Sequence, residues 1–169
     1  REQEKQRNSQ FSDGTITELE NVLQRNYRFN LSYKVSESVK LKSRVEYVTI
    51  SRPSREKEDG MIITQDIIYK PKSSPVSLSL RYALFDTDSY DTRIYTYENN
   101  ALYVFSVPSY YYRGSRVYAM VRYKFLRKFD LWFRYGVSIF ANRTSIGTGA
   151  EELFGNTKTD ITIQLRMKL

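Results

Sequence analysis

The chain of 169 residues contains no cysteine and no histidine. The first absence excludes a disulfide framework and any thiolate metal site. The second removes imidazole-dependent catalytic triads and the usual zinc hydrolase ligand sets. Only seven glycines and four prolines occur, which excludes collagen-like and low-complexity chains. No apolar run approaches the ~20 residues of a transmembrane helix, and mean hydropathy is −0.58. A membrane barrel stays open, because its strands alternate in polarity and average out to look soluble. Tryptophan occurs once, against fifteen tyrosines and nine phenylalanines, a composition suited to strands. Lysine and arginine outnumber acids 27 to 19, giving a net charge of +8 and a pI near 9.6, which points to an anionic partner.

What is present is period two. From Tyr27, the residues Tyr27, Phe29, Leu31 and Tyr33 share one face, while Arg28, Asn30, Ser32 and Lys34 share the other. Val39, Leu41, Val45 and Tyr47 oppose Lys40, Lys42, Arg44 and Glu46. The alternation returns at Met61–Lys70, Val76–Leu84, Val117–Phe125, Phe129–Ile139 and Ile161–Leu169, with Thr92–Glu98 and Ala101–Val107 as short aromatic segments. A helix would scatter these charges around its cylinder, so the segments read as strands. Leu19 and Leu23 keep the parity of Tyr27, which favours a long first strand over a helix opened by the Thr17-Glu18-Leu19-Glu20 capping pattern. The opening Arg1–Arg7 is polar throughout. Residues 1–15 are therefore expected to be a poorly ordered lead or loop, and residues 16–169 the strands.

Short connections (Val35–Ser38, Pro71–Pro75, Asn99-Asn100, Leu126-Arg127) alternate with long ones (Arg52–Gly60, Thr87–Asp91, Pro108–Gly114, Arg143–Asn156). Outer-membrane barrels sort their turns and loops in this way. The expected fold is all-β, an antiparallel transmembrane β-barrel with about nine strands in this chain. Because single-chain bacterial barrels have even strand numbers, an odd set reads as the C-terminal part of a larger barrel, completed by upstream strands or another chain.

In such a barrel the apolar row meets lipid and the polar row lines the lumen. Large aromatics near strand ends, including Tyr27, Tyr33, Tyr69, Tyr82 and Tyr123, suit interfacial girdles. Phe29, Leu31, Val121, Leu131, Phe133, Val137, Ile163 and Leu165 are expected to face lipid. Arg28, Lys34, Lys40, Lys42, Arg44, Arg81, Arg122, Lys124, Arg134, Arg166 and Lys168 are expected to face the lumen, alongside the acids Glu46, Asp66, Asp130 and Asp160. Two readings of that polar row stay open: a basic lumen attracting anions, or a plugged interior whose charges pair across strands. On parity alone, Ser138→Arg should be milder than Leu131→Arg or Val121→Arg.

Local clusters add little chemistry. Asp86, Asp88 and Asp91 have carboxylates for Ca²⁺ but lack the turn glycine and closing glutamate, so a solvated loop is the simpler reading. Tyr110-Tyr111-Tyr112 suits an interfacial belt better than a stacking platform. No carboxylate pair stands out for glycoside chemistry. The chain is read as a non-enzyme with no cofactor and no metal.

One stretch carries a resemblance. Arg81–Asn99, with Asp86-Thr87-Asp88-Ser89-Tyr90-Asp91 at its centre, resembles the end region of large Bacteroidetes outer-membrane proteins that contain a helix-hairpin-helix domain. Gly114-Ser115-Arg116, Asp130–Tyr135, Ile146–Gly149 and Gly155-Asn156-Thr157 continue it across nearly all of Tyr27–Leu169. The resemblance implies a bacterial outer-membrane barrel. The helix-hairpin-helix part precedes the barrel in that family and has no counterpart here, so DNA binding does not carry over.

The expectation is therefore an integral outer-membrane segment, acting as a pore or as the embedded part of an uptake or secretion assembly. Its surroundings would be membrane lipid and lipopolysaccharide, its company a multiprotein complex, and its cargo anionic. The alternatives are a non-conducting barrel that scaffolds partners and a soluble basic β-sandwich that binds anionic polymers.

Overall fold

In a computed structural model the described residues are 1–8, 19–125, 128–147, 149 and 152–167. Among them there is no α-helix, and the fold is an all-β antiparallel sheet. Eight strands form one sheet in the order β1 (Glu2–Asn8), β2 (Leu19–Lys34), β3 (Val39–Arg52), β4 (Arg55–Tyr69), β5 (Val76–Thr87), β8 (Arg113–Phe125), β9 (Phe129–Phe140) and β12 (Thr157–Met167). Two-residue ladders join β6 (Ile94–Tyr95) to β7 (Ser109–Tyr110) and β10 (Ser145–Ile146) to β11 (Leu153–Phe154). Strands β1 and β12 are the sheet's edges, and they do not pair with each other. All eight long strands belong to this one sheet, and among the described residues it does not close into a barrel.

The regular alternation explains the long strands. From β2 onward the sheet strands have between 11 and 16 residues, and each presents one polar and one apolar row. Register carries those rows across the sheet: Leu78 lies opposite Val121, Val121 opposite Phe133, and Phe133 opposite Ile163. The segment Leu19–Lys34 is one strand, as parity favoured over a helix; Thr17 and Glu18 of the capping pattern lie outside the described residues.

Four expectations are corrected. Glu2–Asn8 is not an unstructured lead: it pairs with β2 from Glu2 opposite Arg25 to Asn8 opposite Leu19. Arg52–Gly60 is not a long loop, because β3 and β4 extend until only Pro53-Ser54 separates Arg52 from Arg55. Asn99-Asn100 is not a tight inter-strand turn. Thr92–Glu98 and Ala101–Val107 are not sheet strands. Apart from Ile94–Tyr95 and a single bridge from Glu98 to Ser106, they belong to an irregular inner segment, residues 88–112, that links β5 to β8. The sheet therefore has eight strands where about nine were expected, and the odd-number argument for a missing partner strand loses its premise.

Candidate functional site: the charged inner face and the segment that fills it

The sheet is dressed inside out relative to an ordinary soluble fold. Phe29 and Ile163 are 65% and 68% exposed, whereas Glu46 is 2%, Asp130 1% and Arg134 3% exposed. Of the side chains expected to face lipid, Phe29, Leu31, Phe133, Ile163 and Leu165 are exposed on the outer face, and Val121, Leu131 and Val137 are half-buried. Tyr27, Tyr33, Tyr69, Tyr82 and Tyr123 are also exposed there.

The inner face is covered by residues 88–112, which bond to strands across the whole sheet. Asp91 accepts from Arg7 of β1 and Arg52 of β3. Ser89 donates to Glu58 of β4 at 2.5 Å, and Asn99 donates to Ser79 of β5. Gln164 of β12 donates to the Leu102 carbonyl at 3.0 Å. Close approach needs a missing side chain at one point: a Cβ on Gly60 would lie 2.6 Å from the Thr92 carbonyl oxygen, so Gly60 lets the segment seat on β4.

At the end of the sheet nearest the long connections, Val22, Val48, Ile50, Ile62, Phe85 and Phe140 form an apolar layer with Ile94 and Tyr110 of the inner segment. The Phe85 ring meets those of Tyr110 and Phe140 edge-on, at 5.3 and 5.9 Å. Tyr110 is thus an anchor of the inner segment and not part of a surface belt. Burial raises its hydroxyl pKa above the ordinary tyrosine value, with the charge and hydrogen bond of Glu98 adding to the effect.

Below this layer the inner face is ionic. Arg28 grips Glu46 with Nε and Nη2 at 2.9 and 2.8 Å, and Arg44 closes on the same carboxylate from two residues away. Asp66 and Arg81 lie opposite each other on β4 and β5, and Arg81 donates from Nε and Nη2 at 2.5 and 2.7 Å. The centre is Glu98, fully buried. It accepts from Arg116 Nε and Nη2 at 2.8 and 3.1 Å, from Tyr110 Oη at 2.5 Å, and from Arg134. Arg116 and Arg134 also share Asp160. Gly136 makes room for that group, since a Cβ there would lie 2.7 Å from Asp160 Oδ1. Further along, Arg122 and Arg166 share Asp130 and approach the Trp132 ring at 4.9 and 5.3 Å, the range of cation–π attraction.

The four inner acids read from parity (Glu46, Asp66, Asp130 and Asp160) therefore all hold arginines. Arg28, Arg44, Arg81, Arg122, Arg134 and Arg166 are ion-paired. Lys34, Lys40, Lys42 and Lys124 make no ion pair among the described residues, and Lys168 lies outside them. Glu98 was missed by parity, although it is the lone acid of an aromatic stretch. Arg116 was also missed as a site residue, although it shares the polar row. Asp86, Asp88 and Asp91 do not converge on one point: Asp86 pairs with Arg113, Asp88 accepts from the Asp59 amide, and Asp91 takes Arg7 and Arg52. Among the described residues no cluster of acids has the arrangement to hold a metal ion.

The Asp91 clamp gives a pH prediction. Burial alone would raise its carboxyl pKa, but hydrogen bonds from Arg52 and Arg7 outweigh burial and hold it below the ordinary value. A carboxyl depressed on folding stabilises the fold above its unfolded pKa of about 3.9, and that contribution fades as pH falls through the folded value. The Asp91→Asn variant should therefore be less stable than wild type at neutral pH, with the gap narrowing as pH drops below about 4. Urea midpoints across that range measure it; a gap independent of pH would contradict the clamp.

No protein-family profile matches the chain, no curated protein sequence matches it, and no solved structure matches its fold.

Proposed function

We propose that this chain is a membrane-embedded β-sheet of the outer-membrane barrel kind, with an interior occupied by residues 88–112, and that it acts as a plugged, non-conducting scaffold. The inverted dressing of the sheet carries this reading. Apolar rows on seven strands face outward, and charges face inward and pair with each other and with the inner segment. In water such an arrangement exposes far more contiguous apolar surface than soluble monomers tolerate; in lipid it is the arrangement barrels use. The seven strands β2–β5, β8, β9 and β12 also reach the ~9–11 residues needed to cross. The resemblance to Bacteroidetes outer-membrane proteins agrees with this reading and rests on the sequence motifs alone.

The inner segment and the ion pairs support the plug. A pore interior lined by unpaired cations attracts anions, but here most inner arginines are already neutralised by acids. A conducting, anion-preferring pore is the second reading, favoured by Lys34, Lys40 and Lys42, which make no ion pair among the described residues.

The test is extraction followed by reconstitution of the whole chain. Membrane residence predicts that it needs detergent to leave the membrane fraction and that its gel mobility changes on heating. The plugged reading predicts no conductance steps in planar bilayers. A monodisperse protein in plain buffer would overturn the membrane assignment, and steady anion conductance would replace the scaffold with the pore.

A further inference from the structure

We propose that the inner face carries a binding site for a small phosphorylated anion, built on Lys40 and Lys42 of β3. The site is a cavity of about 340 Å³ between β2, β3, β4 and the inner segment, within the size range of small-ligand pockets. Four cationic side chains line it (Lys40, Lys42, Arg44 and Arg81) against a single carboxylate, Asp66.

Among the described residues no ion pair joins that carboxylate to the lysines. Lys42 lies opposite Asp66 in the ladder, but Arg81 takes one oxygen through Nε and the other through Nη2. The next inner acid, Glu46, is likewise held at both oxygens by Arg28, with Arg44 on one of them. Lys40 lies opposite Lys34, a like-charge pairing that destabilises a ladder. Among the described residues the surrounding arginines are matched to acids while these lysines are not, so the cavity carries uncompensated positive charge, with Lys40 half-buried and Lys42 reaching solvent.

The donors fit a phosphate group. Lys40 and Lys42 are two residues apart on one face of a strand, so their stems emerge about 7 Å from each other. Two ammonium groups at that spacing can take oxygens of neighbouring phosphates or of one phosphoester. Asn30, Ser32 and Thr64 add neutral donors around the same cavity. The site lies on the inner face and does not depend on whether the outer face meets lipid.

Isothermal titration of the full chain, folded in detergent micelles, with inorganic pyrophosphate tests it. Wild type should show saturable binding that weakens as KCl is raised. Lys40→Gln and Lys42→Gln should each weaken it roughly tenfold, the loss of one charge-assisted hydrogen bond. Lys72→Gln, at an exposed pair with Glu37, should leave it unchanged. Lys40→Arg, which keeps the charge, guards against a glutamine variant that fails to fold and should retain binding. No saturable binding by wild type, or equal weakening by Lys72→Gln, would overturn the site, and membrane extraction reads out separately from either result.

Discussion

Glu98→Ala should be among the most damaging single substitutions in this chain, lowering stability by about 3–5 kcal/mol, the usual cost of leaving buried charges without their partner. Three donors converge on that carboxylate: two arginines from β8 and β9, and the Tyr110 hydroxyl. Arg116 and Arg134 are themselves buried, so losing the carboxylate leaves their charges in a poorly solvated place. Asp160 remains to neutralise part of their charge, but it already serves both. The damage should also be local in kind. Glu98 is the most heavily bonded tie between residues 88–112 and the far side of the sheet, so limited proteolysis should cut within that segment before the sheet unfolds. Arg25→Ala offers the contrast, since its pair with Glu2 is exposed and 3.4 Å long; surface pairs are worth under about 1 kcal/mol. Urea titration with both variants decides the matter. If the two shift the midpoint equally, the Glu98 hub does not hold the inner segment.

The same hub marks where sequence reading stops. Period two reports an extended backbone with two unlike sides, and it located β2, β3, β4, β5, β8, β9 and β12. It does not report membership of a sheet. Thr92, Ile94, Thr96 and Glu98 are buried while Tyr95 and Tyr97 are exposed, a clean alternation in a segment that has only two ladder residues. Here the two unlike sides are the sheet's inner face and the open space beyond it. β1 fails in the opposite direction: Glu2–Asn8 is a strand with no apolar row on either side, so there was no period to detect. Its pairing with β2 supplies the order that its own composition does not.

Charge pairing was half legible. Sign and parity put Asp66 and Arg81 on one face, but their direct opposition is set by the length of the connection between β4 and β5. Asp130 sits opposite both Lys124 and Arg166, and the register alone does not say that Arg122 also reaches it. The planar guanidinium groups of Arg122 and Arg166 lie over Trp132 and reach the carboxylate as well, a geometry that register does not report. Ser138 shows the same limit. Parity offers it as a tolerant inner position, yet it is buried and accepts from Arg116 Nη1 at 2.9 Å. An arginine there would place a second guanidinium against the first, so the expectation of a mild Ser138→Arg gives way.

Ile163→Arg separates lipid from water as the solvent of the outer face. The position is near the middle of β12, opposite Phe133, at the end of the apolar row that runs through Leu78 and Val121. Its side chain makes little contact within the chain, being 68% exposed. If the outer face meets water, a substitution at such a site changes stability by no more than about 0.5 kcal/mol. If it meets a bilayer, the same arginine near the midplane costs about 2–4 kcal/mol. Ser32→Glu, at an exposed position on the inner row of β2 opposite Lys42, should stay mild under either condition and controls for added charge. Folding equilibria of both variants in phospholipid vesicles give the answer. A neutral Ile163→Arg would mean that the apolar rows of this sheet face something other than lipid, because no packing inside the chain is available to absorb or to cause the effect.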